Sequence, residues 1–266
     1  MLNINFSNII NTNRLKNKVF WWEPKDGIPN AGDHLAKVIV EHMLALKDKE
    51  INGKSSSKNK LLSIGSVIHF AKTGDCIWGT GVNGKLVDPK ISFIDLDVRA
   101  VRGPLTKDYL NKRGISVPEI YGDPGLLLPL LFNKKLLLDE NLKRDFIVIP
   151  HMNEDFNNYS KFSKHICTPR QGAISFTRNI VNSSFVISGS LHGLIIAEAY
   201  GIPAVFLDNN SGESRFKYDD YYFGSGRQKY PTVSKVQDAF DVEHAKPVDL
   251  PKITKGLISA FPYDLW

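Results

Sequence analysis

One three-part phrase recurs along this chain and restricts its fold more than any other feature: a short β-rich run, a turn containing Gly, Asp or Pro, then an amphipathic segment. That alternation is the signature of parallel α/β units, in which each helix returns the chain to the start of the next strand. "VFWW" (Val19 to Trp22) opens the series, "PNAGD" is its turn, and "HLAKVIVEHMLAL" its helix. In that helix Leu35, Ile39, His42 or Met43, and Leu46 are spaced for one face. Asp33 is placed to cap it.

"LLSIGSVI", "DCIWGTGV", "ISFID" and "DVRAVRG" are short and rich in Ile, Val, Leu or Trp, and read as buried strands or their edges. "GPLTKDYLNKRG" is a helix with Pro104 at its first position and Gly114 closing it. "VPEIYGDPGLLLPLL" repeats the pattern with Asp123 as cap. The charged stretch from Phe132 to Arg144 is the expected crossover between two domains, 1–138 and 139–266, a division that 266 residues accommodate. Strand and helix then alternate afresh: "DFIVIPH", "HICTP", "GAISFTRNIVN", "SFVISGS", "LHGLIIAEAYG" and "PAVFLD". That order predicts a second, doubly wound domain. Asn209 to Tyr230 is polar and aromatic without a clear period, and reads as a long loop. Two helical segments follow Pro231, the last expected to pack back on the first domain.

A hydrophobic content of 42% with 23% charged residues describes a soluble globular protein. The net charge of +6 is scattered among acids, which argues against nucleic acid as a partner. The basic stretch from Lys47 to Lys60 has the composition of a mobile surface loop and is compatible with an anionic substrate or membrane surface. "MLNINFSNIINTNRLK" lacks the order of a secretion signal, and no apolar run reaches the roughly 20 residues of a membrane helix. Cys76 and Cys167 stand apart, as reduced thiols of a cytosolic protein do, and neither they nor the histidines show metal-ligand spacing.

The candidate site residues lie where strands end. "GTGVNG" (Gly79 to Gly84) satisfies a dinucleotide-binding pattern but runs into Pro89 rather than a helix, so it reads as a glycine turn near a cleft. Arg102 stands between a strand and the Gly-Pro start of a helix, at the carboxyl edge where ligands of open α/β sheets bind. Its guanidinium suits a carboxylate or phosphate; a surface ion pair is the other reading, and the favoured one for Arg99. Asp33 and Asp123 each follow a strand and glycine turn. Capping alone would explain both, and accepting a proton from a sugar hydroxyl is the sharper use. His151 ends "DFIVIPH". His192 follows "SFVISGS" beside Ser188, with Ser190 as helix cap and Leu191 facing the core. The first-turn N–H groups there favour an anion, while a neutral histidine in a turn is the plain alternative.

"VRGPLT", "YGDPGLLLPLL" and above all "SGSLHGLIIAEAYGIPAVFLD", with "NAGDHLAKVIVEHML" near the start, together resemble the polysaccharide pyruvyl transferase family, including members for exopolysaccharide and capsule. The resemblance implies two Rossmann-like domains facing each other in a GT-B-like arrangement, an acceptor side in the first and a donor side in the second. It implies phosphoenolpyruvate as co-substrate, a cyclic pyruvate ketal on two hydroxyls of a sugar or lipid-linked oligosaccharide, release of phosphate, and no metal or redox cofactor. A cytoplasmic protein, compatible with peripheral contact with the inner membrane face or the polysaccharide assembly machinery, follows from the same likeness. His192, Asp33 and Asp123 become the catalytic candidates. Arg102, Ser188, Ser190, Leu191, His151, Arg170 and Lys217 become donor-binding candidates, and Asn30, Gly32 and Asp33 acceptor-binding ones. Many members carry arginine where this chain has Ser190, so one donor-binding cation is either missing or replaced by Arg170, Lys217, Arg215 or Arg227. A nucleotide-sugar glycosyltransferase of GT-B architecture and a non-catalytic glycan-binding relative are the alternatives.

Overall fold

Apolar runs too short for helices and too apolar for surface strands become parallel strands covered on both faces. The computed structural model describes residues 18–52, 59–85, 91–209 and 212–266; the Asn-rich start, the centre of the Lys47–Lys60 stretch and Pro89 lie outside these. Among the described residues, β1 (Val19–Phe20), β2 (Leu61–Leu62), β3 (Cys76–Trp78) and β4 (Asp97–Ala100) form one parallel sheet in that order. β5 (Ile147–Ile149), β6 (Val186–Ser188), β7 (Ala204–Leu207) and β8 (Thr232–Val233) form a second. Every residue of β3, β5, β6 and β7 is buried. The chain is thus built from two Rossmann-like α/β units.

The second sheet contains a reversal. Ile166 bridges Val148 of β5 on the side away from β6, so the chain leaves β5 in one direction and returns to β6 in the other. The crevice outside the carboxyl ends of β5 and β6 is therefore a topological switch point, where open α/β sheets bind ligands. "HICTP" contributes only this bridge, and "ISFID" only a bridge from Ser92 to Lys72.

The helices are α1 (Ala31–Ala45), α2 (Pro104–Asn111), the single turns α3 (Leu128–Leu131) and α4 (Lys134–Leu137), α5 (Ala173–Val181), α6 (Leu191–Ala199), α7 (Phe216–Gly224) and α8 (Leu250–Ser259). α1 buries Leu35, Ala36, Ile39, Val40, Met43 and Leu44, whereas Leu46, expected inside, falls at the C-cap and is exposed. α6 is apolar on every side because neighbours surround it: the 3-10 turn Pro124–Leu127, α1, α3, α5 and the strands β6 and β7 all pack on it. One hydrophobic core thereby runs from Val19 and Trp78 in the first half to Ile149 and Phe206 in the second. The C-terminal segment crosses back as well: Trp78 Nε1 donates to Leu257 O, Tyr263 OH to Met43 O, and Asp264 pairs with Arg99.

The expected loop from Asn209 to Tyr230 contains α7, and this helix carries a fully buried ionic tie between the halves. Asp220 on α7 and Arg102, just past β4, are both fully buried and form an ion pair through Nε at 3.0 Å. The same carboxylate accepts from Thr106 N at 2.9 Å and Thr106 Oγ1 at 2.7 Å, while the guanidinium also donates to Ser66 Oγ and Val82 O. α7 comes so close that a Cβ on Gly103 would sit 1.8 Å from Asp220 O. Asp220→Ala leaves a buried guanidinium without its counter-ion and should cost about 3–5 kcal/mol in chemical denaturation; a loss below about 1 kcal/mol would mean that the pair is not what holds α7.

Candidate functional site

Loops from the carboxyl ends of both sheets meet around a pocket of about 250 Å³. The first half contributes Trp22 after β1, Asn30 and Asp33 at the start of α1, Gly65 and Ser66 after β2, and Asn83 and Lys85 after β3. The second contributes His151 after β5, Ser190 to His192 after β6, and Glu213 and Lys217 around the start of α7.

His192 occupies the first turn of α6, partly buried among side chains of both halves. Its Nε2 lies 3.6 Å from Oδ2 of Asp123, and both atoms are buried without a hydrogen-bond partner. The Asp123 carboxyl is fixed by its other oxygen, which accepts from Gly125 N at 2.8 Å as the cap of the turn Pro124–Leu127. A small approach, or a proton between them, would make this a charge-assisted bond of the kind that sets a catalytic imidazole's tautomer. On its other side the ring lies over Gly32, where a Cβ would meet Nδ1 at 2.1 Å. Only glycine fits there, and this close contact aligns the first turns of α6 and α1.

Asp33 lies beside this pair. Asn30, not Asp33, caps α1: its Oδ1 accepts from Gly32 N and Asp33 N, and its Nδ2 reaches Met152 Sδ. The Asp33 carboxyl is thereby released into the pocket, where burial pushes its pKa up to about 6 and Asp123 adds to the rise, against the pull of His192 and Lys217.

A basic group faces it. Glu213 pairs with both Lys85 and Lys217, and its Oε1 lies 3.5 Å from His151 Nε2. Burial, with Lys217 and Lys85, presses the His151 pKa down to about 4 despite Glu213, so the ring is neutral. Burial also lowers Lys217 from the usual ammonium range; burial alone would raise Glu213, but Lys217 and Lys85 hold it below the usual carboxylate range. Glu154 anchors this wall by accepting from His151 N at 2.6 Å.

Most of this geometry lies within a recognisable stretch of sequence; Trp22, Glu213 and Lys217 fall outside it. Residues 30–211, from Asn30 through Asp33, Asp123 and His192, match the model of a family described as polysaccharide pyruvyl transferase. The chain belongs to that family. It is also similar to the succinoglycan biosynthesis protein ExoV of Rhizobium meliloti, 26% identical over 77% of this chain and 63% of that protein. An uncharacterized protein of Acanthamoeba polyphaga mimivirus is 24% identical over 76% of this chain and 73% of its own length. A solved structure of a Klebsiella pneumoniae protein of unknown function superposes over 88% of this chain and all of its own with TM-score 0.47 at 15% identity.

Several candidates of this family member lie elsewhere than expected. Arg102 does not line the pocket: its guanidinium is turned inward and occupied by Asp220, so it is a structural tie and not an exposed anion clamp. Arg170 is drawn outward by Asp26, and Arg227 is bound by Glu198 at 2.7 Å; neither lines the pocket. Arg215 pairs with Asp208, also outside it. Of the cations offered as substitutes at Ser190, Lys217 alone reaches the pocket among the described residues. Ser190 stands at the cap position without capping through its side chain; Ser188 Oγ, itself buried, shapes the turn by accepting from Ser190 N and donating to Ser190 O. Leu191 is buried with an edge on the pocket. Lys85, Glu213, Ser66 and Trp22 join the site without having been singled out as site residues; Trp22 ends the "VFWW" strand, and the "GTGVNG" turn ends beside Lys85. Among the described residues no group of three His, Cys, Asp or Glu side chains is placed to hold a metal ion.

Asp33 supplies a stability test with a fixed sign. Its folded pKa of about 6 lies above the unfolded value, so the folded state retains the proton longer and stability falls as pH rises towards 6. Asp33→Asn should therefore melt higher than wild type at pH 7.5, by on the order of 2 kcal/mol with solvent screening allowed for, and the advantage should vanish near pH 4. An equal or lower melting temperature at pH 7.5 would contradict the assignment.

Proposed function

We propose that the protein transfers pyruvate from phosphoenolpyruvate to two hydroxyls of a sugar, forming a cyclic ketal and releasing phosphate, during synthesis of an exopolysaccharide. The observation that carries this reading is the buried, unpaired His192–Asp123 couple beside a carboxyl whose pKa is near neutrality. Family membership and the similarity to a succinoglycan biosynthesis protein support the substrate class. The two α/β units would act as facing domains of a GT-B-like arrangement, divided near residue 138, with acceptor on the first and donor on the second.

In this mechanism His192, oriented by Asp123, gives a proton to the methylene carbon of the donor, which becomes the methyl group. A sugar hydroxyl adds to C2 as Asp33 takes its proton, and the second hydroxyl displaces phosphate to close the ketal. Donor and diol become ketal and phosphate with no net oxidation, so the balance needs no electron carrier. Asn30, whose amide shapes the start of α1, places Asp33 for the acceptor. Phosphoenolpyruvate is a cytoplasmic metabolite, and no helix among the described residues is long and apolar enough to cross a membrane. The donor chemistry alone supports a reaction in the cytoplasm, with an acceptor that is either free or carried on a lipid at the inner membrane face.

Incubation with phosphoenolpyruvate and a panel of glycosides tests this reading: a product heavier by one pyruvate ketal, with equimolar phosphate, is expected. Release of nucleotide from a sugar donor, with no reaction of phosphoenolpyruvate, would instead identify a glycosyltransferase. His192→Ala should lose about a hundred- to ten-thousand-fold in turnover while keeping its circular dichroism. Because Asp33 must be ionised to act, kcat/KM should fall on the acid side of about pH 6, and a flat profile there would remove it as base.

A further inference from the structure

Two lysines and a histidine from three separate parts of the chain converge on one internal carboxylate. Lys85 comes from the turn after β3, His151 from the end of β5 and Lys217 from the first turn of α7. Glu213, on the connection between β7 and α7, meets Lys85 and His151 through Oε1 and Lys217 through Oε2. Its side chain is only 6% exposed, yet it lines the pocket. We propose that Glu213 is a built-in counter-anion: its carboxylate holds the seat that the phosphate of the donor takes, and binding exchanges one anion for the other.

The charge arithmetic favours that exchange. Two ammonium groups share a single carboxylate, so the cluster keeps a net positive charge that a phosphate dianion would neutralise with more acceptor oxygens. Without an internal anion, the buried Lys217 ammonium would lack a counter-charge and face the exposed Lys85 ammonium, which is costly. Glu213 removes that cost in the empty protein and makes the seat weaker for small monoanions than for phosphate esters. Burial and neighbouring cations lower the Lys217 pKa, and Glu213 opposes that fall, as a phosphate in its place would. This role rests on the pocket being the donor site, but the seat itself can be tested without any transfer reaction.

Calorimetric titration with inorganic phosphate, at fixed ionic strength, compares wild type, Glu213→Gln and Lys217→Met. Removing the competing charge should tighten phosphate binding in Glu213→Gln by roughly tenfold, and Lys217→Met should lose it. In addition, Glu213→Gln should melt below wild type without phosphate and gain more melting temperature from phosphate than wild type does, which a purely structural glutamate would not produce. Glu213→Ala provides the same reading if the glutamine variant does not fold. Phosphate binding that is unchanged or weaker in folded Glu213 variants, or unaffected in Lys217→Met, would overturn the inference. Tighter phosphate binding in a protein that never consumes phosphoenolpyruvate would leave the anion seat standing and remove the proposed reaction.

Discussion

The buried ion pair between Arg102 and Asp220 is the constraint on which the arrangement of the site depends. Two charges taken out of water are costly, and the cost is offset here by Thr106, Ser66 and Val82, which complete the bonding of both partners. Its position fixes α7 against the end of β4. Lys217, three residues before Asp220 on the same helix, is thereby directed to the pocket while Asp220 is directed to Arg102. Charge that seemed available for ligand binding at one residue is thus used for assembly, and the cation offered to the pocket comes from another.

Inside the pocket, burial sets protonation as much as the choice of side chain does. It makes the Asp33 carboxyl easier to protonate and the His151 ring harder, while Lys217 and Lys85 keep Glu213 below the usual carboxylate range despite its burial. His192 gains its place from packing: Gly32 leaves room for the ring on one side and Asp123 faces it on the other. An imidazole, a carboxyl of raised pKa and a lysine-bound carboxylate consequently lie around one small cavity at the carboxyl ends of both sheets, lined by residues of both halves of the chain.

Much of this was legible in the sequence because parallel strands buried on both faces leave short apolar runs, and the helix-start chemistry at Pro104 and Asp123 is local. Asp33, Asp123, His151 and His192 were legible as strand-end residues for the same reason. α7 was not, since the residues it buries include Lys217, Tyr218, Asp220, Tyr221 and Tyr222, whose polar groups hide the apolar period. Arg102 misled because a strand end locates a backbone but not the tip of a long side chain, and its partner is 118 residues away. Arg170 is captured by a residue 144 positions distant. At α1, two capping residues stood within four positions, and the choice of Asn30 is what frees Asp33.

The most direct measurement is a crystal structure with phosphoenolpyruvate bound. The account predicts a donor in the pocket between the two sheets, its phosphate between Lys85 and Lys217 and its methylene carbon facing His192. A donor bound outside this pocket, or inside it with the reactive carbons turned away from both His192 and Asp33, would contradict the account.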